Sequence, residues 1–333
     1  MRVLITGGAG FIGSHLAEAC LEKGDEVYII DDLSTGSLAN IEHLRNNNCF
    51  KNRLFVHIDT ILNHDLMEEL TGICDIVFHL AAAVGVRYIL ENPLESIKIN
   101  VQGTQEILEI CTKFKKRILI TSSSEVYGKH LHAPLVETDN IIYGPSCKFR
   151  WSYAASKLMD EFTALAYCRT KGLQVVITRL FNTVGPRQTG AYGMVIPRFV
   201  TQALKNKPLT IYGDGTQSRT FTFVKDVVRA LMGLMACENV TGEVFNVGGT
   251  QEITMLELAK KIIKATGSNS TCQLIPYEEA FAKDFEDMHR RVPSIEKIRK
   301  AIGFEPQVNL DEILTQVINY QKTVINRQLV ISN

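Results

Sequence analysis

The segment TGGAGFIGSHL, residues 6–16, constrains the first fold unit of this chain more than any other stretch. It sets Gly7, Gly10 and Gly13 directly after the apolar run RVLIT and directly before a helical pattern. Glycines at this spacing allow a tight strand-to-helix turn and let an anion approach the backbone at the helix start. A dinucleotide pyrophosphate is the ligand such a turn holds, with Phe11 and Ile12 beside it. The motif alone is weak, and its placement between strand and helix gives it meaning.

The alternation continues. EVYIID, RLFVHI, DIVFHLA, RILITS and QVVITRLF are short apolar runs separated by longer helical patterns. This is the rhythm of buried parallel strands joined by crossover helices. It predicts an α/β fold with a doubly wound parallel sheet, its ligands beyond the carboxyl ends of the strands. After Phe181 the rhythm breaks into loop-like NTVGPRQTGAYGM, a Gly-Asp-Gly turn and the amphipathic ITMLELAKKIIKATG. The expected organisation is a large lobe over 1–180, rejoined by 220–250, and a smaller mixed α/β C-terminal lobe from 181–219 and 251–330.

Asp31 and Asp32 close the second apolar run. A carboxylate there accepts hydrogen bonds from the adenosine ribose and repels a 2′-phosphate, so NAD is expected over NADP; Asp32 is the better turn or cap residue of the two. Asp59 ends RLFVHID and fits either an adenine edge or a turn. The small residues of HLAAAVG, Ala81 among them, let a cofactor lie against backbone, while His79 reads as packed core.

Lys+Arg and Asp+Glu both number 36, so no net field draws in nucleic acid or an anionic membrane, and a small anion must be held by local groups. No apolar run approaches the ~20 residues that cross a bilayer, and the first residues lack a signal-peptide pattern. A cytoplasmic protein is expected. Eight cysteines without a C-x-x-C pair suggest free thiols, with no metal site.

YAASK places Tyr153 and Lys157 at i and i+4, on one helix face. An ammonium beside a phenol, together with an oxidised nicotinamide ring, favours the phenolate and moves tyrosine from ~10 toward neutral pH, as a general base requires.

TGGAGFIGSHL, Asp31, HLAAA, TSSSEVYG, YAASK and NTVGPRQ, in this order over nearly the whole chain, resemble the extended short-chain dehydrogenase/reductases that modify nucleotide sugars. The resemblance implies a Rossmann NAD lobe, a nucleoside-diphosphate sugar in the cleft and transient oxidation of a sugar hydroxyl. It implies Ser123 or Ser124 on that hydroxyl, Tyr153 as base and Lys157 on the cofactor ribose. In this family, helices like those around 101–114 and 153–167 pair into a homodimer interface, although their apolar spacing fits packing on the sheet equally well.

Glu125 narrows the subfamily. Most 4-epimerases carry a non-acid before V-Y-G, and 4,6-dehydratases carry glutamate preceded by aspartate; here Ser124 precedes Glu125, as in the UDP-glucuronate decarboxylases. Arg150 and Trp151 in FRWSYAASK and Arg291 in HRRVPS resemble the same group, whose arginine works at the substrate carboxylate. The structural alternatives are that Trp151 packs, Arg291 pairs with Glu286 or Asp287, and Glu125 binds backbone. Asn182, Arg187 and Arg219 match family positions near diphosphate and sugar; Arg219 suits bidentate bonds to phosphate. The implied reaction is NAD-dependent decarboxylation of UDP-glucuronate to a UDP-pentose, UDP-xylose or the 4-keto-pentose, by way of a C4 ketone. A UDP-sugar or UDP-glucuronate 4-epimerase is the alternative, since RLFNTVGPRQTG departs from the decarboxylase pattern; a 4,6-dehydratase is disfavoured by Ser124.

Overall fold

A computed structural model describes residues 1–190, 194–280 and 288–331. Strands β1 (Arg2–Thr6), β2 (Glu26–Ile30), β3 (Leu54–His57), β4 (Ile76–His79), β5 (Arg117–Ser123) and β6 (Val175–Leu180) come first. Short strands β7 (Thr183–Val184), β8 (Leu209–Tyr212), β9 (Ser218–Thr220) and β10 (Thr222–Phe223) lie outside the main sheet, and β11 (Glu243–Val247) returns to it. β12 (Glu252–Thr254), β13 (Cys272–Ile275) and β14 (Arg290–Arg291) follow. The main sheet is parallel throughout, in the order β11–β6–β5–β4–β1–β2–β3. Its chain order reverses between β1 and β4, the switch point at which doubly wound sheets open a ligand crevice.

The strands are apolar without alternation because helices cover both faces. Helices Phe11–Glu22 and Val224–Ala236 bury Leu16, Leu21, Val227 and Leu231 on one side. His64–Ile73, Gly103–Lys113 and Arg150–Lys171 bury Leu70, Ile107 and Ala164 on the other. Each fully buried leucine, isoleucine or valine contributes roughly 1.5–3 kcal/mol. Helix Arg150–Lys171 carries the Tyr-Lys pair and stops at Gly172, whose φ of 71° suits a residue without Cβ, while Arg169 and Lys171 offset the negative helix end.

A second core gathers helices Val195–Leu204, Met255–Thr266 and Leu310–Ile331 on β8. Met255–Thr266 begins with a capping box between Thr254 and Glu257. Phe11 and Ile12 pack on this second core, joining the cofactor turn to the smaller lobe. Helix Val224–Ala236 packs on the large core and β11 joins the edge of the main sheet. The stretch 251–330 is divided: Ile295, Ile298 and Phe304 pack on the large core, so helix Glu296–Ile302 belongs with that lobe. Among the described residues no helix is long and apolar enough to cross a membrane and no group of side chains could hold a metal.

Candidate active site

A cleft of about 2030 Å³ opens beyond the carboxyl ends of the central strands and reaches the second core. A pocket for one ligand typically holds ~300–1,000 Å³, so there is room for two.

Its first half starts at the glycine turn. A Cβ on Gly7, where φ is 70°, would come within 2.8 Å of the Ala81 amide, and one on Gly13 within 2.1 Å of the Gly7 carbonyl. Helix Phe11–Glu22 begins at Gly10 with no side-chain cap and no acidic residue in its first turn. Gly10, Phe11, Ile12 and Gly13 line the cleft there, so the positive helix end is presented to a ligand. These features fit a dinucleotide pyrophosphate. Asp31 accepts the Ala9 and Leu33 amides, each at 2.9 Å, and lines the cleft. It thus braces the glycine turn from the wall of the cleft. Asp32 also lines the cleft and accepts the Ser34 amide in a turn. Asp59 takes the turn alternative: its oxygens accept the Thr60 amide and the Asn63 amide group, and it does not line the cleft.

At the chemical end, β5 delivers Ser123 and the 3-10 turn Ser124–Tyr127 delivers Glu125. The Ser123 hydroxyl accepts the Glu125 amide at 3.2 Å and is the serine hydroxyl that acts on the Tyr153 phenol. Of the two serines, Ser123 is therefore the one beside the base, and Ser124 is a buried wall residue of the cleft. Ser122 instead binds Glu161 at 2.5 Å, within the buried Glu161–Arg179 ion pair.

Lys157 stands next to Tyr153, as the i, i+4 spacing requires, but its ammonium donates to Asp160 Oδ2 at 2.8 Å. Burial raises the phenol of Tyr153 above its ordinary value, and Lys157 and Ser123 only partly offset this. The expected lowering is thus not realised by the protein alone: Asp160 and Glu125 oppose the lysine.

The most highly charged group surrounds Glu125. Arg150 lies 2.9 Å from Glu125 Oε2 and Arg291 donates to Oε1. Arg291 also donates to Asn182 Oδ1 at 2.7 Å, and Asn182 donates to the Thr220 carbonyl at 2.9 Å. β14 pairs with β9 so that Arg291 is the register partner of Arg219, and parallel register partners project to the same side. Burial would raise the Glu125 carboxyl, but Arg150, Arg291 and Arg219 outweigh it and hold it down at about 2. Glu125 is therefore an ionised carboxylate among three guanidiniums, and its backbone-binding alternative does not describe its side chain. Glu286 and Asp287, the other partners considered for Arg291, lie outside the described residues. Trp151 does pack: it is buried and stacks on Tyr143 at 5.9 Å.

Arg187 lines the cleft at its cofactor side: it bonds Glu18 at 2.5 Å and approaches Ser14 and His43. Sequence reasoning missed two residues behind the site. Asn100 sits in a π-turn, Lys98–Gln102, accepts the Ala83 amide at 2.7 Å and donates to the Ala83 carbonyl and to Ser156. It thereby fixes the HLAAA backbone against the helix of Tyr153. Asp160 is the other. Asn100 leaves no local signal, since a π-turn shows only in three dimensions, whereas Asp160 stands at i+3 from Lys157 and the helix spacing could have found it.

The fold, the glycine turn and the Ser123–Tyr153–Lys157 set define an NAD-dependent, nucleotide-sugar-modifying short-chain dehydrogenase/reductase of the extended type. A family model described as GDP-mannose 4,6 dehydratase matches residues 4–317, and the chain belongs to that family. It is 40% identical over 326 residues to a UDP-N-acetyl-alpha-D-glucosaminuronate decarboxylase of Bacillus cytotoxicus, covering 98% of this chain and 99% of the relative. It is 38% identical over 322 residues to UDP-glucuronic acid decarboxylase 4 of Arabidopsis thaliana, covering 96% of this chain and 68% of that one. Among solved structures, the UDP-glucuronic acid 4-epimerase of Bacillus cereus with UDP-glucuronic acid and NAD matches with a TM-score of 0.87 at 31% identity, over 97% of this chain and 100% of the other.

Proposed function

We propose that this enzyme decarboxylates a UDP-linked uronate, UDP-glucuronate first among them, to a UDP-pentose through a transient C4 ketone. The observation that carries the reading is Glu125, held ionised at about 2 between Arg150 and Arg291. Three guanidiniums around one carboxylate leave the sugar end of the cleft short of negative charge, which a diphosphate and a sugar carboxylate supply together. A glutamate this acidic is neither a proton donor nor a strong base near neutral pH. That is unfavourable for a 4,6-dehydratase, which must move the C5 proton. It is no obstacle to losing carbon dioxide, which needs no base.

NAD, held at the glycine turn and Asp31, would supply the acceptor for the C4 hydride and its return. The protein residues do the rest. Tyr153 takes the C4 hydroxyl proton, with Ser123 holding the same oxygen. Once C4 is a ketone, the uronate is a β-keto acid, and departure of carbon dioxide leaves an enolate whose charge rests on the C4 oxygen. Tyr153 and Ser123 donate hydrogen bonds to it there; a proton from solvent added at C5 restores the C4 ketone, and Tyr153 gives its proton back to the C4 oxygen as that ketone is reduced, which leaves the UDP-pentose. Arg291, aligned by Asn182, receives the sugar carboxylate, and Arg219 serves the diphosphate. Lys157 orients the cofactor ribose.

The 4-epimerase reading shares the substrate and the first step, and the likeness to the Bacillus cereus enzyme favours it as the alternative. One NMR time course with UDP-glucuronate and NAD separates them. A pentose anomeric signal with carbon dioxide supports decarboxylation; a galacturonate signal without it replaces that reading. Glu125→Gln should stall carbon dioxide release with NAD still bound.

Met159 and Phe162, 51% and 61% exposed on helix Arg150–Lys171, join Leu94 at 80% as large apolar side chains left on the surface. We assign this face to a second copy of the chain. Eight free thiols accord with a cytoplasmic setting.

A further inference from the structure

After β7 the chain comes back onto the first helix before it enters the second core, and the loop 185–190 is tied there by several bonds. His15 Nε2 lies 3.0 Å from the Pro186 carbonyl. Burial, helped by Arg187, holds the His15 ring down at about 4, so the ring is neutral. A carbonyl can only accept, and the one ring proton is therefore on Nε2 and is donated to Pro186. The next residue, Arg187, bonds Glu18 at 2.5 Å, meets His43 Nε2 at 3.1 Å and reaches toward Ser14 Oγ at 3.4 Å. Gln188 fastens the loop on its other side by donating to the Thr183 carbonyl at 2.9 Å. Arg187 itself lies in the left-handed region, with φ at 68°. A residue with a Cβ stays in that conformation only where its surroundings over-determine it.

We propose that Arg187 is a positioning residue for the cofactor: with Glu18 it forms a strap that holds the loop from the second core against the helix of the glycine turn, and NAD leaves when that strap opens. Pro186 and Arg187 line the cleft, and so do Gly10 and Gly13 at the start of the helix they grip. The strap therefore joins two walls of the same end of the cleft. The Arg187–Glu18 pair is 15% and 24% exposed, so water screens it less than a surface pair. Without the pair, nothing opposes relaxation of Arg187 to an ordinary negative φ, and the loop moves off the glycine turn. Arg187 thus serves the dinucleotide end of the cleft, where its sequence position had pointed to diphosphate and sugar.

This inference rests on NAD at the glycine turn and not on the identity of the sugar, and its test uses no sugar. The full chain is loaded with NADH and mixed with excess NAD, and the loss of nicotinamide fluorescence gives the rate of release. Glu18→Gln breaks the ion pair while keeping the Arg187 charge, and Arg187→Met removes the guanidinium. Each should speed release about tenfold, equivalent to ~1.4 kcal/mol. The double variant should release no faster than either single one, because both act through one contact. Arg187→Lys keeps a cation within reach of Glu18 and should recover most of the retention. Unchanged release in Glu18→Gln overturns the strap, since Arg187 would then act on the cofactor by its own charge or not at all. Effects that multiply in the double variant overturn it as well. If Arg187→Met does not fold, Glu18→Gln decides alone. Failure of UDP-glucuronate to react touches only the proposed substrate and leaves these rates standing.

Discussion

Replacing Glu125 by glutamine tests the electrostatic account of the site in a way that does not depend on the substrate. The Glu125 carboxyl is lowered from 4.5 to about 2, and each unit corresponds to ~1.36 kcal/mol. The folded protein therefore prefers the ionised over the protonated form by about 3 kcal/mol. The side chain is 15% exposed, so solvent screening removes little of this. Glutamine imitates the protonated carboxyl in shape, so Glu125→Gln should cost about 3 kcal/mol at pH 7, within the range for breaking a buried pair. The pH dependence fixes the sign. A carboxylate whose folded value is depressed stabilises above its unfolded value, near 4.5, and that stabilisation disappears as pH falls toward 2. The difference between wild type and variant should hold from pH 7 to about 5 and shrink to roughly half by pH ~3. Equilibrium urea unfolding at several pH values measures it. A variant within ~1 kcal/mol of wild type at pH 7, or a gap that ignores pH, would refute the reasoning, because the three guanidiniums would then be compensated by something other than this carboxylate.

Three further outcomes are expected. Asn100→Ala removes the side chain that bonds both polar groups of Ala83 and Ser156, and should cost about 2–3 kcal/mol in urea unfolding. Gly13→Ala would drive a methyl to 2.1 Å from the Gly7 carbonyl; the turn must open, and NAD affinity should drop by at least about tenfold in a calorimetric titration. Phe162→Glu puts a charge on the exposed apolar face and should convert a dimer to monomers in light scattering, whereas an unaltered mass would remove that face from the interface.

The parts of this molecule that were readable in its sequence are those where the backbone itself restricts the residue. Gly7 needs a positive φ and Gly13 has no room for a Cβ; such demands leave a mark at fixed spacing. Apolar runs announced the parallel strands because both faces are covered, and the i, i+4 rule put Tyr153 and Lys157 together. The arginine cluster is different. Arg291 reaches Glu125 across 166 residues, and the two-residue pairing of β14 with β9 that aligns it with Arg219 is too short to show as a periodic pattern. Resemblance supplied Glu125, Arg150 and Arg291, while the charge state of Glu125 shows only in the packing of Arg150, Arg291 and Arg219 around it. Arg187 shows the converse: a family position known from sequence, whose guanidinium engages Glu18 and Ser14 on the first helix.

The raised phenol of Tyr153 and the lowered carboxyl of Glu125 assign different work to two groups that sit side by side. On the proposed reaction the phenol has to act in both directions, accepting the C4 proton at the start and donating to the C4 oxygen when carbon dioxide leaves. Burial, which raises Tyr153, favours the second task, because a phenol that holds its proton is a steady donor to an enolate. The first task needs the opposite, and the positive charge of an oxidised nicotinamide in the cleft would act in that direction together with Lys157. Glu125 adds a negative charge that raises the phenol further, while its own proton affinity is removed by Arg150, Arg291 and Arg219. It therefore serves as a fixed charge and not as a proton carrier. On the proposed reaction it aligns the guanidiniums that would meet the substrate carboxylate, and it supports the protonated phenol. A site built this way stabilises charge at C4 and offers no strong base at C5, which is the division of labour that loss of carbon dioxide from a β-keto acid requires.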